Sequence, residues 1–172
     1  MTAVLGAFFV IFACGAFAMK KIAESNKAIE NIRGLKQAFL HMAKKMEFES
    51  EPIASLMKKL SKEDCGDVAE LFDKVSEKLT DGTNRELSQI WFEVVDEYAK
   101  KLNLSPKTIK IINNVGANLG KMAQNAEIEF LEAASDELED EIKFAEAELS
   151  KNSKLLKSSG ILAGIFIVII FI

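Results

Sequence analysis

The chain has 172 residues, with 22 basic and 26 acidic side chains and a net charge of −4. That length fits one domain with appendages, and the near balance of charge excludes a surface built for nonspecific nucleic-acid binding, which needs a basic face. A mean hydropathy of +0.09 averages two populations: an apolar stretch at each end, and a polar middle dense in Lys and Glu.

The first element is "MTAVLGAFFVIFACGAFAM", which carries no charged side chain before Lys20. As a helix, Thr2 to Met19 spans roughly 27 Å, against a hydrocarbon core of about 30 Å. The expectation is a transmembrane helix over 1–19. Ala16-Phe17-Ala18 has the A-x-A look of a signal-peptidase site, but a secretory signal carries its positive charge before the apolar stretch. Here Lys20, Lys21 and Lys27 follow it. Basic flanks stay on the cytoplasmic side, so Lys20 and Lys21 direct the middle of the chain to the cytoplasm.

From 20 to 157 the apolar residues recur at helical spacing, with no sustained strand alternation. A helix continues from the first run, with Ile29, Ile32, Leu35, Phe39, Met42 and Met46 on one stripe. Ser50 to Pro52 breaks it, because proline lacks an amide and disfavours helix before it. Pro52 then opens a short helix with Ile53, Leu56, Met57 and Leu60. After "CGD", Asp67 and Glu70 form a D-x-x-E pattern close to a capping box, ahead of Leu71, Phe72, Val75 and Leu79. Thr83 and Glu86 repeat that signature ahead of Leu87, Ile90, Trp91, Val94, Val95 and Tyr98. Trp91 is read as a core aromatic. Ser105-Pro106 starts another helix, with proline where its missing amide costs nothing. Ile109, Ile112, Val115 and Leu119 are expected to face inward, and Gly116 and Gly120 are assigned to close helix packing.

The last helix carries Ile128, Leu131, Ser135, Leu138, Ile142, Ala145 and Leu149 as a heptad-like seam with one polar interruption. It meets no proline or glycine until Gly160. It runs into "SSGILAGIFIVIIFI", residues 158–172, which as a helix spans roughly 22 Å. Lys154 and Lys157 can snorkel to the interface and compensate for that short length. The expectation is a C-terminal transmembrane tail anchor over 158–172, with both termini outside and the 20–157 domain inside. Six helical segments joined by short breaks make an all-α antiparallel bundle.

Cys14, in the first apolar run, and Cys65, in a turn expected to face solvent, do not form a disulfide framework. The single His41 has no Cys or His neighbour to build a metal site. "GANLGKM" fails the phosphate-loop spacing, and no nucleophile elbow, H-E-x-x-H or dinucleotide fingerprint occurs. No enzyme activity, cofactor, metal, nucleic acid or small-molecule substrate is therefore expected. One charge feature stands out. Glu127 to Glu148 holds ten acidic residues and one basic one, Lys143. Such a run is ordinarily a solvated helix face, but its self-repulsion would be relieved by a basic partner. Glu132, Asp136, Glu139 and Asp140, which fall off the apolar stripe, are the candidate partner-binding residues.

Several blocks together resemble stage III sporulation protein AB of endospore-forming bacteria. They are "IRGLKQAF", "EFESEPI", "LFDKVSEKLTDGT", Trp91 nine residues after Gly82, Leu119-Gly120, and the tail "KLLKSSGILAGIFIVIIFI". The resemblance covers nearly the whole chain. It implies a membrane component of the channel complex between mother cell and forespore. It also implies a soluble domain similar to the helical domains of the type II secretion F component, which face a separate hexameric ATPase. The family's L-G-x-x-D-x-x-x-Q pattern is broken here, with Ala123 and Glu127 at its last two polar positions. The rival reading is a membrane-tethered coiled-coil scaffold that oligomerises through the seam of its last helix.

Overall fold

The structure, a computed structural model, describes the backbone of residues 2–48, 51–82 and 85–171, and the side chains of 16–48, 51–82 and 85–153. Six α-helices follow one another: α1 (Thr2–Phe48), α2 (Ile53–Leu60), α3 (Ala69–Thr80), α4 (Leu87–Lys101), α5 (Pro106–Asn118) and α6 (Gln124–Phe171), with a single 3-10 turn at Gly66–Val68 before α3. No strand occurs among the described residues. The chain divides into two compact units, residues 27–143 and residues 1–26 with 144–172.

Local chemistry sets the helix limits. Pro52 precedes α2 in extended conformation, φ −60° and ψ 141°. The Ser105 side chain accepts the Thr108 amide at 3.0 Å, and Pro106 takes the first helical position of α5. The two capping signatures ahead of α3 and α4 do not form. Val68 and Glu86 occupy the N-cap positions without side-chain caps. Asp67 is drawn instead into an ion pair with Lys27 at 2.7 Å, and Thr83 lies outside the described residues.

Within the 27–143 unit, cross-helix bonds fix an up-and-down order. Lys58 meets Asp73 at 2.6 Å and the Ser76 hydroxyl donates to the Ala54 carbonyl, so α2 and α3 are antiparallel. Lys78 reaches Glu93, and Lys101 reaches Glu70, setting α3 against α4. Lys36 pairs with Glu139 at 2.8 Å while the Gln124 amide donates to the Met46 carbonyl, setting α1 against α6. One end of this unit gathers Lys27 with Asp67, Asn31 with the Leu102 carbonyl (2.8 Å), and Ser105 and Lys107 with Glu141. The chain therefore enters through α1 and leaves through α6 at the same end.

The core is one continuous apolar interior. Leu35, Phe39, Met42, Leu56, Met57, Leu60, Leu71, Phe72, Ile90, Trp91, Leu102 and Ile112 are all buried to within 2% exposure. The Trp91 and Phe72 rings are tilted at 59° with centroids 6.1 Å apart, a favourable aromatic geometry. The Trp91 indole N–H donates to the Ile112 carbonyl at 2.9 Å. On α5 the inward face is Thr108, Ile111, Ile112, Val115 and Leu119, whereas Ile109 is only half-buried. Leu79 is half-buried as well. Cys65 is buried as a free thiol rather than solvent-facing. Burial, with Glu63 and Asp64 nearby, pushes its pKa up.

The other unit joins the two terminal segments. Its half-buried described residues are Ala18, Ile22 and Ser25 of α1 and Ala145, Leu149 and Ser153 of α6. Phe17, Met19 and Phe144 are its exposed large apolar side chains. Among the described residues no helix is long and apolar enough to cross a membrane. Of the apolar runs expected to span one, the side chains of 1–15 and 158–172, and those of Lys154 and Lys157, lie outside the described side chains.

Candidate docking surface

Two features of α6 could serve a partner: its outer face and the turn before it. Leu131, Ala134, Ser135, Leu138 and Ile142 face the core, which leaves Glu129, Glu132, Asp136, Glu137 and Asp140 exposed on the other side. Ser135, the polar residue of the seam, donates back to the Glu132 carbonyl at 2.8 Å and so needs no partner across the core.

The four candidate residues are not equivalent. Glu139 is half-buried and bound to Lys36 of α1, with Lys143 at 3.8 Å. The Lys36 hydrogen bond holds the Glu139 carboxyl below the usual carboxylate range. Asp140 is exposed, 3.6 Å from Lys143 on its own helix. Glu132 and Asp136 are exposed and point away from the seam.

Part of the acidic helix is neutralised within the chain. Besides Lys36, Lys107 of α5 reaches Glu141 at 2.7 Å. The hydrogen bond to that buried carboxylate raises the Lys107 pKa. The expectation that self-repulsion along α6 calls for an outside cation is thus weakened at Glu139 and Glu141. The stretch Glu129, Glu132, Asp136, Glu137 and Asp140 remains as the outward acidic surface.

The two glycines assigned to helix packing do different things. Gly116 lies under the Trp91 indole, and a Cβ there would overlap the ring. Gly120 is not in a helix. It sits in the turn after α5 at φ +80°, where an L side chain is strained, and a Cβ there would meet only the tip of Ile53, at 2.8 Å.

Glu127, one of the two departures from the family pattern, is 5% exposed, and its carboxylate accepts the Gly120 amide. It closes the α5–α6 turn. The companion Ala123 offers its carbonyl to the Glu127 amide at 3.0 Å. Sequence reasoning left the Glu127 role open because its partner is a backbone amide seven residues earlier, which no side-chain pattern marks. Gly34 was overlooked too. A Cβ there would run into the Cys65 carbonyl, and the available signal was a lone glycine inside a helical stripe.

Of the lysines expected to set topology, Lys20 is 76% exposed with Glu24 at 3.9 Å, and Lys21 is exposed. His41 is half-buried, with Nδ1 3.8 Å from Glu63. Among the described residues no cluster of three or more His, Cys, Asp or Glu could hold a metal ion.

These features define an up-and-down bundle of six helices whose most distinctive outward surface is an acidic helix face. The sequence profile described as Stage III sporulation protein AB matches residues 3–172, and the chain belongs to that family, which carries a role in sporulation. It is 24% identical over 172 residues to Stage III sporulation protein AB of Bacillus subtilis (strain 168), covering 99% of each chain. A solved structure of a Stage III sporulation protein AB superposes with a TM-score of 0.65 at 18% identity, covering 72% of this chain and 97% of that one. That likeness supports the all-helical fold.

Proposed function

We propose that this protein is a membrane-anchored platform, or adaptor, of the channel complex between mother cell and forespore, and that it offers its 20–157 helical domain to a separate ATPase. In this reading 1–19 and 158–172 are transmembrane helices, both termini lie outside, and the domain faces the mother-cell cytoplasm. The observation that carries the reading is that α1 enters and α6 leaves the 27–143 bundle at one end, marked by Lys27–Asp67 and Lys107–Glu141. An apolar run adjoins each of those ends in the sequence, so a single bilayer can hold both. The domain's likeness to the type II secretion F component, expected from the sequence resemblance, is part of the same proposal.

The coiled-coil scaffold reading needs an apolar seam free to meet another chain. Leu138 and Ile142, with Leu131, are instead buried within this one, and Ile128 is half-buried, which favours the platform.

The topology is tested with single-cysteine variants in a background lacking Cys14 and Cys65. Cysteines at Thr2 and Ile172 should react with an impermeant reagent from outside, and one at exposed Lys121 should not. Labelling at Lys121 in intact cells would refute the arrangement. The partner is tested by capturing the detergent-extracted protein from sporulating cells. Absence of an ATPase among the captured proteins would remove the platform role.

A further inference from the structure

We infer that the unit formed by residues 1–26 and 144–172 carries a binding surface for anionic phospholipid headgroups, made by Lys20, Lys21 and Lys151 and bordered by the exposed Phe17 and Met19. The inference rests on the membrane reading above and adds the class of lipid.

Three observations converge. The two terminal segments belong to one compact unit, so lysines 130 positions apart in sequence share a small body. Lys20, Lys21 and Lys151 are exposed, and Lys20 makes a loose contact with Glu24 at 3.9 Å. Next to Lys20 and Lys21 in the sequence, Phe17 and Met19 are 70% and 74% exposed. Exposed large apolar side chains adjoining lysines suit the boundary between acyl chains and headgroups, where rings and thioethers sit inward and ammonium groups outward. The sequence adds Lys154 and Lys157, and the unit's acidic residues, Glu24, Glu146 and Glu148, all stand nearer in sequence to 27–143 than these lysines do.

A lysine near a negatively charged leaflet favours it by about fivefold. Zwitterionic headgroups offer no such gain, and the attraction falls within a Debye length as salt rises. The expected ligand is therefore a phospholipid with net negative charge, such as phosphatidylglycerol.

The test uses the full-length protein reconstituted in mixed phosphatidylglycerol and phosphatidylcholine nanodiscs, then extracted gently in detergent, with the co-purifying lipid quantified. The wild type should retain phosphatidylglycerol at least severalfold above its bulk ratio, and high salt should reduce the enrichment. The variant K20Q/K21Q/K151Q should retain both lipids at the bulk ratio while keeping the helical circular dichroism of the wild type. Three results would overturn the inference: bulk-ratio lipid on the wild type, undiminished enrichment on the variant, or displacement of the lipid by inorganic phosphate alone. In each, the chain holds lipid before any phosphate is added, and the membrane-spanning reading stands. A wild type that holds no lipid at all removes both.

Discussion

Single atoms decide the two glycine positions and the Glu127 carboxylate. Gly116→Ala would push a methyl group into the Trp91 ring, and overpacking of this kind costs about 1–3 kcal/mol. A clear fall in melting temperature is expected, and an unchanged one would mean that the indole moves aside freely. Gly120→Ala acts through the backbone, since an L residue in the left-handed region costs about 1–2 kcal/mol. Glu127→Ala should cost about 1–3 kcal/mol, because it removes a charge-assisted hydrogen bond to the Gly120 amide. Glu127→Gln keeps a carbonyl oxygen as acceptor and should cost far less. Equal losses for Gln and Ala by denaturant titration would show that the carboxylate charge, rather than acceptance of the Gly120 amide, is what matters. At Glu139 the folded pKa is depressed by Lys36, so its contribution is present above the unfolded carboxylate value of about 4.3. That contribution is lost as pH falls through the lower folded value. The melting temperature of Lys36→Met should thus lie below that of the wild type at neutral pH, and the gap should close in acid. A gap that does not change with pH would assign the effect to packing of the lysine stem.

At the scale of the element, α6 carries two opposed instructions. Its inner stripe, Leu131 to Ile142, holds the bundle together, while its outer face offers Glu132, Asp136 and Asp140 to solvent. Changing these three to lysine, with Glu139 left to its Lys36 bond, should preserve the helical circular dichroism. It should weaken binding to the proposed ATPase in a way that depends on salt, since exposed charges act mainly on association rate and specificity. Affinity unchanged at low and high salt would reduce this face to a solvated helix surface. Including Glu139 would confuse the result, because a lysine there faces Lys36. The helix limits show how far pattern reading reaches. Ser105-Pro106 started its helix as expected, with a Ser105 cap besides, whereas Asp67 found a better partner in Lys27 than in a helix amide. A capping signature is a local offer, and a cation brought in from another helix can outbid it.

For the whole molecule, burial of the α6 stripe within its own chain predicts that the isolated 20–157 segment is a monomer. Sedimentation across a range of concentrations checks this, and a concentration-dependent dimer would revive the scaffold reading. The same topology, with the chain entering and leaving the bundle at one end, makes two anchors in one bilayer geometrically simple.

The sequence by itself determined the helical class, the number of helices, the core stripes of α1 and α4, and the family. Each follows from local periodicity, proline placement or short blocks that survive without knowledge of neighbours. Burial of Trp91 was also legible, because a large aromatic in a 3-4 pattern has few other places to go. Only the tertiary structure decided which acidic groups are already spent. Glu139 and Glu141 are neutralised by Lys36 and Lys107, which lie 103 and 34 positions away. It also separated Gly116, which makes room for an indole, from Gly120, which allows a positive φ, though both read alike as small residues four apart. The reason is physical. Periodicity reports which face of a helix is apolar, but pairing between charges and close approach between backbones depend on which helix comes to lie beside it.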